Sequence, residues 1–187
     1  MRIPVHDLIP FFVHGYDNKI KYSIKRLSIK YSYLKSDIVI VPFSSNKNKL
    51  IELFRVNPEK IRVIPYGVNH ETYFRDDNIQ KIPKSVAFLG EAKRAKGLDT
   101  LIRAFQIVIR SVPDATLVIA SSGNELEKMK RLAEEFLPAG SFKFLGFIEE
   151  NKMREFYNSA QLFVFPSRYG FGLSALEAMA CGTPAIV

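Results

Sequence analysis

Glycine and cationic residues are concentrated in one short stretch, Gly90-Glu91-Ala92-Lys93-Arg94-Ala95-Lys96-Gly97, which follows an apolar run and opens a helix-periodic one. Cations and flexible glycines at the head of a helix suit a phosphate group, because the free N–H groups of the first turn add to the side-chain charge. Three further junctions have the same layout. Ser121-Ser122-Gly123-Asn124 can cap a helix or meet a ligand, and Gly146-Phe147-Ile148 follows another strand-like run. Pro166-Ser167-Arg168-Tyr169-Gly170-Phe171-Gly172-Leu173 leaves a buried run and enters a helix, with two glycines that let the backbone approach a ligand. That helix carries Glu177 among Leu, Ala, Met and Cys. A lone carboxylate on a nearly apolar helix needs a partner, either a sugar or ribose hydroxyl pair or a local backbone amide.

The elements that must position these residues follow from periodicity. Strand-like runs at Ser85–Leu89, Ala115–Ala120, Phe142–Leu145 and Gln161–Phe165 alternate with helical patterns at Gly97–Arg110, Asn124–Leu137, Glu149–Asn158 and Gly172–Cys181, and Pro184–Val187 opens one more strand. Continuous apolar strands alternating with helices predict βαβ units and a doubly wound parallel α/β sheet over residues 85–187, with ligands at the carboxyl ends of its strands. A chain that ends inside an apolar run is expected to be truncated, since such a succession normally adds a covering helix. Asp76–Lys84 is polar, lacks periodicity and ends at a proline-lysine pair, which predicts a linker. Residues 1–75 hold a helix at Ile20–Leu34, a strand at Ser36–Pro42, a helix at Ser45–Phe54 and a strand at Lys60–Pro65, a partial α/β segment. Its first helix places Ile20, Ile24, Leu27, Tyr31 and Leu34 on one stripe, expected to cover the adjacent sheet.

At 187 residues with 47% hydrophobic and 25% charged residues, the chain can bury a core, so disordered and collagen-like classes are excluded. No apolar run approaches the roughly 18–20 residues of a membrane helix, and no signal-peptide core is present, which predicts a cytoplasmic location. The single Cys181 can form neither an intramolecular disulfide nor a metal cluster. Of the net charge of +8, residues 1–75 carry +7, with thirteen Lys/Arg against six Asp/Glu, and residues 76–187 carry the remaining +1. Six of these cations and no acid lie between Asp17 and Asp37, a pattern suited to an anionic surface, with a plain solvated face as the alternative. Nucleic acid is disfavoured because no recognisable module accompanies the charge. A dinucleotide oxidoreductase is disfavoured because no G-x-G-x-x-G follows a strand.

Gly170-Phe171-Gly172-Leu173-Ser174-Ala175-Leu176-Glu177-Ala178-Met179-Ala180-Cys181-Gly182-Thr183-Pro184 resembles the donor-site signature of the family 4 retaining glycosyltransferases, which have the two-domain GT-B fold. Lys60–Asn69 resembles the end of that family's N-terminal domain, Lys96-Gly97-Leu98-Asp99 its donor-phosphate loop, and Val5-His6-Asp7-Leu8-Ile9-Pro10 its acceptor-side histidine loop. The resemblance implies a nucleoside-diphosphate sugar donor bound by a Rossmann-like domain at 85–187, and a glycan or lipid-linked acceptor met by residues 1–75. Polysaccharide synthesis at the inner membrane face is the implied setting. Lys96 would neutralise the diphosphate, and Gly90 and the backbone of Gly170, Phe171, Gly172 and Leu173 would face phosphate or sugar. Glu177 would hold the ribose hydroxyls, Phe147 and Ile148 would lie beside the base, and His6 would stand near the reacting sugar. No metal or other cofactor is implied, since cations and helix N-termini meet the leaving diphosphate.

Two departures qualify the resemblance. Tyr169 stands where the family has a glutamate that contacts the donor sugar, and Glu91 stands where it has an arginine beside the diphosphate. An acid there costs about 1 kcal/mol or more at short range. Two complete domains also need roughly 300 residues. The chain is therefore expected to act as part of a retaining glycosyltransferase, completed by further sequence or another chain. The alternative is a non-catalytic relative that binds nucleotide or serves as a structural partner.

Overall fold

The computed structural model describes residues 2–4, 27–28, 30–167 and 172–187. The chain divides into two compact units, Met1–Gly67 and Val68–Val187.

In the first unit, β1 (Arg2–Pro4), β2 (Ile38–Val41) and β3 (Ile61–Val63) form a parallel sheet in the order β1-β2-β3. Alternation along β2 buries Val39 and Val41. Helix α1 (Ser44–Phe54) sets Leu50 and Phe54, one turn apart, into the same cluster, which Tyr33, Val56 and Ile61 complete. Residues 27–28 and 30–35 are helical as expected, but the buried face is not the expected one. Leu27 and Tyr31 are 69% and 64% exposed and Leu34 is exposed too, whereas Tyr33 is buried edge-on against Phe54. The helix has apolar residues on two faces here, and the heptad-like stripe is the one left outside.

In the second unit, β4 (Ser85–Leu89), β5 (Thr116–Ala120), β6 (Phe142–Gly146), β7 (Leu162–Val164) and β8 (Ala185–Ile186) form one parallel sheet in the order β6-β5-β4-β7-β8. Helices α2 (Leu98–Ser111), α3 (Leu126–Phe136), α4 (Glu150–Ser159) and α5 (Leu173–Ala180) connect successive strands. This is the doubly wound α/β architecture that the alternating pattern predicts. The central strand β4 buries Ser85, Ala87 and Phe88, and α2 delivers Leu98, Leu101, Ile102 and Phe105 to the core at helical spacing.

Residues 76–84, expected as a linker, lie within the second unit. Asn158, buried on α4, accepts from the backbone N–H of Asp76 at 2.9 Å and donates to the carbonyl of Phe74 at 3.0 Å. Lys81 donates to the carbonyl of Ala160 and to Thr183 Oγ1, both at 2.8 Å. The segment looks like a linker in sequence because polar contacts hold it, and those leave no apolar period.

Candidate functional site

Strand order reverses at β4. The chain runs from β4 outward through β5 to β6, then crosses back to β7 on the other side. The loops leaving the carboxyl ends of β4 and β7 therefore meet at the switch point of the sheet, where such folds take ligands.

The two loops are fastened together. Gly97 adopts a left-handed conformation (φ 73°), and a Cβ there would lie 2.1 Å from the carbonyl oxygen of Pro166. Ser167 Oγ donates to the carbonyl of Ala95 at 3.1 Å. Lys96 Nζ lies 5.4 Å from the centre of the Phe165 ring, which in turn stacks on Phe88. A Cβ on Gly90 would touch Phe88 and Phe165, and one on Gly172 would touch Phe165. Lys96, Gly90 and Gly172 thus surround one aromatic ring. Both α2 and α5 begin at a glycine in the left-handed region, Gly97 and Gly172, with no side chain capping either helix. A doubly wound sheet is expected to bring these strand-to-helix junctions together at its carboxyl edge; the contacts that fasten the loops after β4 and β7 are those of Gly97 with Pro166 and of Ser167 with Ala95.

Beside this junction, the carboxyl ends of β4, β5 and β6 enclose a cavity of about 140 Å³. Gly90, Glu91, Ser121, Ser122, Gly146, Phe147 and Ile148 line it, over an apolar floor of Leu89, Ala120 and Met153. Phe147 is 75% exposed at its rim. Ser121 Oγ is buried without a hydrogen-bond partner among the described residues. Glu91, the unexpected acid, is bonded to Lys93 Nζ at 2.8 Å. Both groups are about half exposed, so the pair adds little stability, but it offsets the carboxylate's charge within the loop.

Glu177 finds a partner that neither sequence alternative contained. Its Oε2 accepts a hydrogen bond from the Tyr157 hydroxyl at 2.7 Å. Tyr157 is wholly buried on α4, a helix of largely polar sequence in which no local pattern marks the phenol as a partner for Glu177. Burial pushes the Cys181 thiol up to about 11, which keeps it protonated near neutrality and unsuited to act as a nucleophile. His6, Tyr169, Gly170 and Phe171 lie outside the described residues. Leu173 is half exposed at the start of α5. Among the described residues no His, Cys, Asp or Glu group could hold a metal ion, and no helix is long and apolar enough to cross a membrane.

Residues 69–187 match the glycosyl transferases group 1 family, and residues 4–72 match glycosyltransferase family 4. An uncharacterized glycosyltransferase of Methanocaldococcus jannaschii is 30% identical over 184 residues, covering 91% of this chain and 46% of its own. Sucrose-phosphate synthase from Thermosynechococcus elongatus superposes with a TM-score of 0.80 at 25% identity, covering 98% of this chain and 49% of its own. HepE of Anabaena, solved in complex with UDP and glucose, superposes with a TM-score of 0.77 at 18% identity, covering 98% of this chain and 51% of its own, a likeness of fold. The chain spans less than half the length of the curated relatives it matches.

Proposed function

The chain belongs to the glycosyl transferases group 1 family, and from that premise we propose that its second unit binds the nucleoside-diphosphate sugar donor of a retaining glycosyltransferase. The observation that carries this reading is the junction of β4 and β7. There the glycine-initiated N-termini of α2 and α5 accompany Lys96 around Phe165. Free N–H groups of a first helical turn and an ammonium group are complementary to a diphosphate, and remain so as negative charge develops on the leaving group. The base enters the cavity between Gly90, Phe147 and Ile148, and Glu177 accepts from the ribose hydroxyls. Gly172 and Leu173, at the start of α5, are assigned to phosphate or sugar; the same assignment for Gly170 and Phe171, and that of His6 to the reacting sugar, rests on the family resemblance alone. The complete protein then transfers the sugar, with retention, to a glycan or lipid-linked acceptor at the cytoplasmic membrane face.

Isothermal titration of the 187-residue chain with UDP, GDP, ADP and uridine tests the donor reading. At least one diphosphate is expected to bind tenfold or more tightly than uridine, in line with charge-assisted bonds of about 1.5–3 kcal/mol. The advantage should shrink as salt rises. Equal affinity for UDP and uridine, with no binding of GDP or ADP, would exclude it.

The exposed stripe of Leu27, Tyr31 and Leu34, beside the exposed Lys30 and Lys35, supports an anionic membrane as the surface met by the first unit. Each cation near such a surface adds about 1 kcal/mol. Co-sedimentation with phosphatidylserine vesicles, but not with neutral ones, is the expected result; equal binding to both, or to neither at low salt, would end this proposal.

A further inference from the structure

Tyr157 is a polar residue in a place where burial alone would favour phenylalanine. It is fully buried, and its ring packs edge-on against Phe163 at 5.4 Å and Tyr73 at 5.9 Å. Its backbone is pinned as well, because its carbonyl accepts from Thr183 Oγ1 at 2.6 Å, and Thr183 is itself held by Lys81. A ring fixed from both sides can point its hydroxyl in one direction only, and that direction is Glu177 Oε2, 2.7 Å away. Burial, and then the hydrogen bond to the Glu177 carboxylate, push the Tyr157 phenol far above its ordinary range. The proton therefore stays on the phenol, which acts as a donor to the carboxylate.

We propose that Tyr157 is a positioning residue for ligand recognition: its hydroxyl fixes Oε2 of Glu177 so that Oε1 is presented to the vicinal hydroxyl pair of a ribose. The inference rests on the reading of Glu177 given above and adds the group that orients it. A carboxylate accepts at two oxygens, and a side chain with several rotatable bonds loses entropy when a ligand orders it. A buried donor on one oxygen makes that ordering part of folding. The alternative role for Tyr157, satisfying a half-buried acid with no ligand involved, makes no distinction between ligands with and without ribose hydroxyls.

That distinction supplies the test. UDP and 2′,3′-dideoxy-UDP are titrated into the wild-type chain, Glu177→Gln and Tyr157→Phe. The wild type should prefer UDP by about tenfold or more, the strength of one or two hydrogen bonds to a charged group. Glu177→Gln should lose most of this preference. Tyr157→Phe should lower it to about threefold while binding the dideoxy compound as the wild type does. No preference in the wild type would overturn the assignment of Glu177 and the inference with it. A full preference retained in Tyr157→Phe would overturn the inference alone. So would an equal loss of affinity for both ligands, which marks a purely structural role.

Discussion

Gly97→Ala is expected to lower both stability and nucleotide affinity more than any other single-methyl change in the second unit. The residue has φ 73°, a region that costs an alanine about 1 kcal/mol. The added Cβ would also lie 2.1 Å from the Pro166 carbonyl oxygen and 2.9 Å from its carbon, and backbone atoms at a strand end cannot rotate away. Relief requires the loops after β4 and β7 to separate. Strain and overpacking together suggest a loss of about 2–4 kcal/mol, or a fall of about 10 °C in Tm. Gly140→Ala is the control. Its φ is 85°, but a Cβ there would meet nothing within 4 Å, so only the dihedral cost of about 1 kcal/mol should remain. Circular-dichroism melts of the two variants decide the matter. Equal and small shifts would mean that the loop junction is not tight.

Lys96→Ala is expected to do the opposite: lose ligand and keep the fold. The ammonium lies 5.4 Å from the centre of the Phe165 ring, an interaction of about 1 kcal/mol for a half-buried side chain, so Tm should move by only a few degrees. A charge-assisted bond to phosphate is stronger, and its removal should weaken UDP binding about 10- to 100-fold while leaving uridine unchanged. Lys96→Met, which keeps most of the stem without the charge, should behave like alanine, and Lys96→Arg should recover part of the affinity. Calorimetry on the set separates charge from packing. Unchanged UDP affinity in Lys96→Ala would remove Lys96 from the phosphate site.

Much of the second unit could be read from the chain because its signals are local. The apolar runs Val86–Leu89 and Leu162–Phe165 mark β4 and β7, and the Leu98, Leu101, Ile102 and Phe105 spacing is one helix face. The candidate ligand groups were legible for the same reason, as glycines and cations at strand-to-helix junctions. What was not legible depends on distant pairs. Gly97 meets Pro166 and Glu177 meets Tyr157 only after β7 has crossed to the far side of β4, and no local pattern announces either. Residues 76–84 show no apolar period because their partners are the Asn158 amide of α4 and the Ala160 carbonyl just after it rather than apolar surface. The helical residues 30–35 misled because Tyr33 buries outside the strongest apolar stripe, a choice made by Phe54 and β2 rather than by the helix itself.

The central claim is that a nucleoside diphosphate sits at the carboxyl ends of β4, β6 and β7. Titrating the ¹⁵N-labelled chain with UDP and following the backbone amides tests it most directly. The amides of Gly90, Lys96, Gly97, Phe147, Ile148, Leu173 and Ser174 are expected to shift together with one saturation curve. Shifts confined to the Glu125–Leu132 face of α3, or none at millimolar UDP, would contradict the assignment.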